Sequence, residues 1–161
     1  MLVVLIVAIA LSVVVITVIL ILATLAIPAM QSVVRRGNET SAITNLRLLN
    51  QMEAMYLSNY PQHGFACSLA SLGGSDASPA SPGAAHLIPN DLAGGSKSGY
   101  IFTISGCTKV TLKNQTQFTS YQIIAVPSSV GRSGNRGFCT DENGRIRYDP
   151  KGGANCTELL Q

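Results

Sequence analysis

No charged side chain occurs before Arg35 in this 161-residue chain, and no acidic one before Glu39. Thirty-four residues without a charge do not make a solvated surface, so the leading segment is excluded from ordinary water-soluble structure. Charged residues are only 12% of the whole, partly because that segment contributes none. Histidine is scarce as well. His63 and His86 are the only two, both lie in a loop-like stretch, and neither belongs to a triad or a metal motif. There is no C-x-x-C pair, no phosphate-loop glycine pattern and no twelve-residue calcium loop; Asp141, Glu142 and Asn143 read as turn chemistry. The net charge is +3, and from residue 91 onward eight basic residues face five acidic ones, an excess too mild for a nucleic-acid surface. The expectation is a protein that is not an enzyme, with no cofactor and no metal.

What is present begins with an apolar run over residues 2–27, broken only by Ser12, Thr17 and Thr24, whose hydroxyls can bond back to the helix's own carbonyls. As a helix it would be roughly 40 Å long, against a hydrocarbon core of about 30 Å. It is too long for a cleavable signal and has no basic region before it. Arg35 and Arg36 flank its C-terminal end, which by the positive-inside rule would place the rest of the chain in the cytoplasm. That conflict disappears if a basic leader preceded Met1 and was removed after setting the topology, so a processed or truncated N-terminus is expected.

Pro28 removes a backbone donor where the apolar run gives way to polar residues, and a kink is expected there. Beyond it, Ile43, Leu46, Leu49, Met52 and Tyr56 recur at helical spacing, while Arg47, Asn50 and Glu53 fall elsewhere around the helix. The helix should continue to a stop at Asn59, Tyr60 and Pro61, with Tyr56 and Tyr60 read as core rather than as an electron path. Residues 61–99 are rich in Gly, Ser, Ala and Pro and read as a long loop, pinned by Leu69 with Leu72 and by Leu87 with Ile88. The loop tip, residues 75–85, has the composition either of an O-glycosylated segment, with Ser75, Ser78 and Ser81 as acceptors, or of an unmodified flexible loop. N-x-S/T sequons stand at Asn38, Asn114 and Asn155.

Strand signals follow at residues 100–105 (YIFTIS), 119–126 (TSYQIIAV), 137–140 (GFCT) and 145–148 (RIRY), and short connectors argue for an antiparallel sheet. Asn143-Gly144 predicts a type I′ hairpin turn. The organisation expected is therefore a membrane or filament-core helix over 1–28, its amphipathic continuation over 29–60, a loop over 61–99 and a sheet over 100–161. All four cysteines lie beyond the apolar segment, which points to two disulfides and an oxidising compartment. Four cysteines allow three pairings. Preferred are Cys139 with Cys156, which staples the apolar-poor tail to the last hairpin, and Cys67 with Cys107, which ties the long loop to the end of the first strand.

The apolar helix ending in Ala26-Ile27-Pro28-Ala29-Met30-Gln31, the amphipathic extension ETSAITNLRLLN (39–50), and the segments SGYIFTISGC (98–107) and GRSGNRGFCTDENGRIRYD (131–149) together resemble the type IV pilin and pseudopilin superfamily, and among it pilin-like proteins of the acidobacterial kind. The resemblance implies an α+β pilin fold, a long apolar helix packed on a four-stranded antiparallel sheet. It implies a helical homo-oligomeric filament, reached from the inner membrane through the pilus assembly machinery and ending outside the cell. Adhesion, motility and DNA uptake are the roles such filaments serve. One departure stands out: counting back from Pro28, the glutamate usual in the family would fall near Leu11, where there is none. Either the given start lies downstream of the true leader and glutamate, or the subunit assembles without it. Two alternatives remain, a pseudopilin of a type II secretion system and a single-pass anchored extracytoplasmic binding protein.

Overall fold

The computed structural model describes residues 1–22, 30–74, 79–111 and 115–160, with the backbone course of helix residues 23–29 and of Leu112 between them. The elements in chain order are α1 (Leu2–Asn59), α2 (Leu69–Leu72), α3 (Asn90–Ala93), β1 (Ser96–Lys97), β2 (Tyr100–Leu112), β3 (Gln115–Pro127), β4 (Gly137–Asp141), β5 (Arg147–Asp149) and β6 (Glu158–Leu159). The class is α+β, with an apolar N-terminal helix and an antiparallel sheet. The chain divides into two compact units, Met1–Val34 and Arg35–Gln161. The kink expected at Pro28 falls on residues 23–29 and lies outside the described residues.

Within the second unit the sheet has six strands rather than four, in the simple meander order β1 to β6. The two additional strands are the edges, each two residues long, too short to carry a readable alternation. Lys97 pairs with Tyr100 across Ser98 and Gly99, both at positive φ (49° and 72°), the geometry of a type I′ hairpin. At the other edge Glu158 and Leu159 of β6 pair with Tyr148 and Arg147 of β5.

The central hairpin also exceeds its apolar signal. β2 and β3 each run 13 residues, against six and eight read from sequence, with Leu112 opposite Gln115. Their outer halves are Thr-, Gln- and Lys-rich and mostly exposed, so no burial pattern marks them. A bulge at Gly106, with φ of 62°, places one extra residue in β2 and sets Cys107 toward its partner.

The connection from β4 to β5 differs from the type I′ turn expected. The Gly144 amide donates to the Asp141 carbonyl (2.9 Å) and the Asn143 amide to Asp141 Oδ1 (2.9 Å), and only Gly144 is at positive φ. Asp141 thus converts the link to an Asx-stabilised turn, and Ile146 is buried in the extra length.

Residues 35–59 of α1 pack one stripe into this unit. Ala42, Leu46, Leu49 and Tyr56 are buried against Tyr100 and Phe102 of β2, Tyr121, Ile123 and Ala125 of β3, and Phe138 of β4 in one cluster. Alternate residues of β2 and β3 enter it, as the period of a half-buried strand requires. β4 is buried on both faces because the tail comes over its far side, where Gly137 lies against the Gly153 carbonyl with no room for a Cβ. The loop over 61–99 is more ordered than its composition suggests: α2 and α3 interrupt it, and Leu69, Leu72, Ile88 and Leu92 sink into the same core. Part of its tip is packed too, since Ala85 is buried and Tyr56 donates to the Pro82 carbonyl (2.7 Å).

Candidate functional site

The first unit presents the feature that needs a partner. From Leu2 to Leu22 the helix has a mean hydropathy of 3.4, and none of this span is buried. Its large apolar side chains stand between 49% exposed (Val18) and 73% exposed (Val4). The only polar side chains of the span satisfy themselves, Ser12 Oγ donating to the Ile9 carbonyl (2.8 Å) and Thr17 Oγ1 to that of Val13 (2.7 Å). Twenty-one such residues rise roughly 32 Å, the thickness of a hydrocarbon core. Water is a poor solvent for this surface all round, and the segment is long and apolar enough to cross a membrane.

In the second unit the helix is held to the loops by two glutamates. The buried stripe reads Glu39, Ala42, Leu46, Leu49, Glu53 and Tyr56, so two acids occupy positions where apolar residues would serve packing alone. Glu39 Oε1 accepts from the Asn135 amide (2.8 Å) and the Arg136 amide (3.3 Å), while Oε2 takes the Arg136 guanidinium (Nε 2.9 Å, Nη2 2.8 Å). Asn38 Nδ2 donates to the Ser133 carbonyl (2.8 Å) and Arg35 Nη1 to that of Gly131 (2.8 Å). The β3–β4 loop is thereby tied to successive turns of the helix. Replacing Glu39 with alanine leaves two amides and a half-buried guanidinium without their acceptor, and urea unfolding should show a loss of about 2 kcal/mol.

Glu53 contradicts the expectation that it lies away from the packed face: it is fully buried. Its Oε2 accepts from the Ala66 amide (2.8 Å), which fixes the start of the long loop, while Oε1 has no partner among the described residues. Burial pushes its carboxyl from 4.5 up to about 8, against the smaller downward pull of the Ala66 bond. Neither carboxylate was found from sequence, because counting apolar residues alone passes over them. The signal available was the regular 3-4-3-4-3 spacing from residue 39 to residue 56.

The disulfides formed are Cys67–Cys107 and Cys139–Cys156, with Cα atoms 6.1 and 6.0 Å apart. The first joins the long loop to the β2 bulge, and the second pins the tail across β4. Two disulfides fit an oxidising, extracytoplasmic location. Of the glycosylation candidates, Ser75, Ser78 and Asn114 lie outside the described residues. Ser81 is exposed in a tight turn closed by reciprocal bonds with Ala84. Asn155 is exposed beside the second disulfide, whereas Asn38 is within α1 with its amide already donated to Ser133.

No family model, curated protein or solved structure matches this chain. The geometry of the chain itself therefore carries the functional reading.

The second unit has at least two clefts, one of about 450 Å³ whose walls include Tyr56, His63, Phe65, Ser71 and Phe118, and one of about 430 Å³ between Asn50, Tyr121 and Asn143. The first is bounded by the stretch in which the Phe118 amide donates to the His63 carbonyl (3.0 Å) and the Phe65 amide to that of Phe118 (2.9 Å). His63 is exposed there, and no group of three potential metal ligands exists among the described residues.

Proposed function

We propose that this chain is a structural subunit of a helical extracellular filament of the type IV pilus kind, with a pilin fold and no catalytic role. The observation that carries this reading is the apolar Leu2–Leu22 segment, exposed all round, in the same helix α1 whose residues 35–59 form one layer of a disulfide-stapled sheet unit. An anchor alone would need the first part but not this union of span and core helix in one element.

In this mechanism the subunit waits in the inner membrane on its apolar segment. Assembly machinery then transfers that segment into a bundle of identical segments, an exchange of one apolar surrounding for another that costs little. A head-to-tail contact between copies that does not close on itself generates an open helical filament. The sheet unit faces outward, and its loops over 61–99 and 139–156 give the surface its identity.

A charge placed mid-segment tests the reading. Val14→Lys should cost roughly 3 kcal/mol of insertion and deplete the chain from the membrane fraction. It should also remove filaments from sheared surface material viewed by electron microscopy with an antibody to the chain. A second reading, a single-pass anchored binding protein, is favoured by the aromatic-lined cleft at His63 and Phe65. Wild-type cells that hold the chain in the membrane fraction and shed no filament containing it would decide for that alternative.

A further inference from the structure

The end of the second unit at which the chain enters it, Arg35, is basic and carries one exposed apolar side chain. Val130 is 58% exposed at the tip of the β3–β4 loop. That loop is not free to fold Val130 away. Gly131 donates its amide to the Gly134 carbonyl (2.8 Å), Ser133 Oγ bridges the Ser129 amide and carbonyl (3.0 Å each), and Arg35, Asn38 and Glu39 hold the loop to the helix.

Charge on this end is one-sided. Arg36 and Arg132 are exposed, Arg35 is half-buried, and Lys151 is exposed next to Gly152, whose position against Val130 Cγ2 leaves no room for a Cβ (2.8 Å). None of these four pairs with a carboxylate among the described residues. The two acids on the same segments are buried and occupied: Glu39 by Arg136 and two amides, Asp149 by the Lys151 amide (2.8 Å) and the Asn155 amide (3.3 Å).

We infer that this end, with Val130 as its apolar tip and Arg36, Arg132 and Lys151 around it, docks on the anionic phospholipid headgroups of the bilayer that holds the apolar segment. This rests on the anchored-helix reading above and adds a second, electrostatic membrane contact to it. Arginine and lysine beside a bilayer are drawn to anionic headgroups, and a small aliphatic side chain fits the boundary below them. Nucleic acid is the less fitting ligand, because residues 128–136 and 149–155, which carry this end, include no aromatic side chain to stack on bases. Docking would add a headgroup contact to the waiting subunit, and leaving the membrane would release it.

The test uses the full chain in nanodiscs of phosphatidylcholine alone or mixed with phosphatidylglycerol, with a gadolinium chelate on a lipid headgroup. Relaxation of the Val130 methyl signals should be enhanced in the anionic discs and much less in the neutral ones. Each of Arg36→Gln, Arg132→Gln and Lys151→Gln should lower the docked population about fivefold. Co-elution of the chain with both discs, but with equal Val130 relaxation in the two, overturns the inference and leaves the anchor intact. Failure to co-elute with either disc removes the anchor reading and the inference with it. Loss of the Val130 enhancement on adding a DNA duplex would assign this end to nucleic acid instead.

Discussion

Glu53→Gln is expected to abolish a pH-dependent loss of stability of about 4 kcal/mol in the wild-type chain. The sign follows from proton binding. Folding raises the Glu53 carboxyl from 4.5 to about 8, so between these values the folded state holds a proton that the unfolded state has released. The contribution of Glu53 to stability is therefore greatest below 4.5, falls as the pH rises toward about 8, and is level above it. Each unit of separation is worth about 1.4 kcal/mol, so the fall from about pH 5 to about pH 8 amounts to roughly 4 kcal/mol. Glutamine keeps the carbonyl oxygen for the Ala66 amide and cannot ionise, so its curve should be flat over the same range. Urea unfolding at several pH values, followed by the near-ultraviolet signal of the buried tyrosines, measures both curves. A wild-type stability that does not fall with pH across this window would refute the buried, protonated state.

Removing the Cys67–Cys107 bridge by a double serine substitution should cost about 4 kcal/mol, and removing Cys139–Cys156 about 3 kcal/mol. The order follows the loops closed, 40 against 17 residues. The first loss should reach further than stability. The bridge, the Glu53 bond to Ala66 and the Phe118 ladder together hold residues 63–67, so losing it should open the long loop to protease before the sheet unfolds. Thermal unfolding of both double variants gives the order, and limited proteolysis gives the site. Equal melting temperatures in all three proteins would contradict the staple role.

How much of this was legible in the sequence depends on what each element buries. The 58-residue helix α1 and the inner halves of β2 and β3 announce themselves because each carries apolar residues at its own period, from Leu46 and Leu49 to Phe102 and Ile123, whereas β5 begins at Arg147, two residues later than expected, and leaves Ile146 in the connection. The edge strands β1 and β6 are two residues long and leave no periodic trace. The outer half of the β2–β3 hairpin is held by backbone ladder bonds between exposed threonines and glutamines, so hydropathy was blind to it. The turn at Asn143-Gly144 went to a different type because Asp141, two residues before Asn143, supplies a side-chain acceptor to the Asn143 amide. The exposed apolar segment was readable from composition alone, whereas Glu39 and Glu53 were not: a glutamate on a helix ordinarily faces water, and only the loops folded against it explain its burial.

The most direct measurement is a helical reconstruction by electron cryomicroscopy of surface filaments that contain this chain. A filament of this kind should show a central bundle in which residues 2–22 of neighbouring copies pack on one another, with the disulfide-bearing sheet units outside. Filaments in which this segment lies outside the bundle, or surface material with no such filaments while the chain stays in the membrane, would contradict the filament reading.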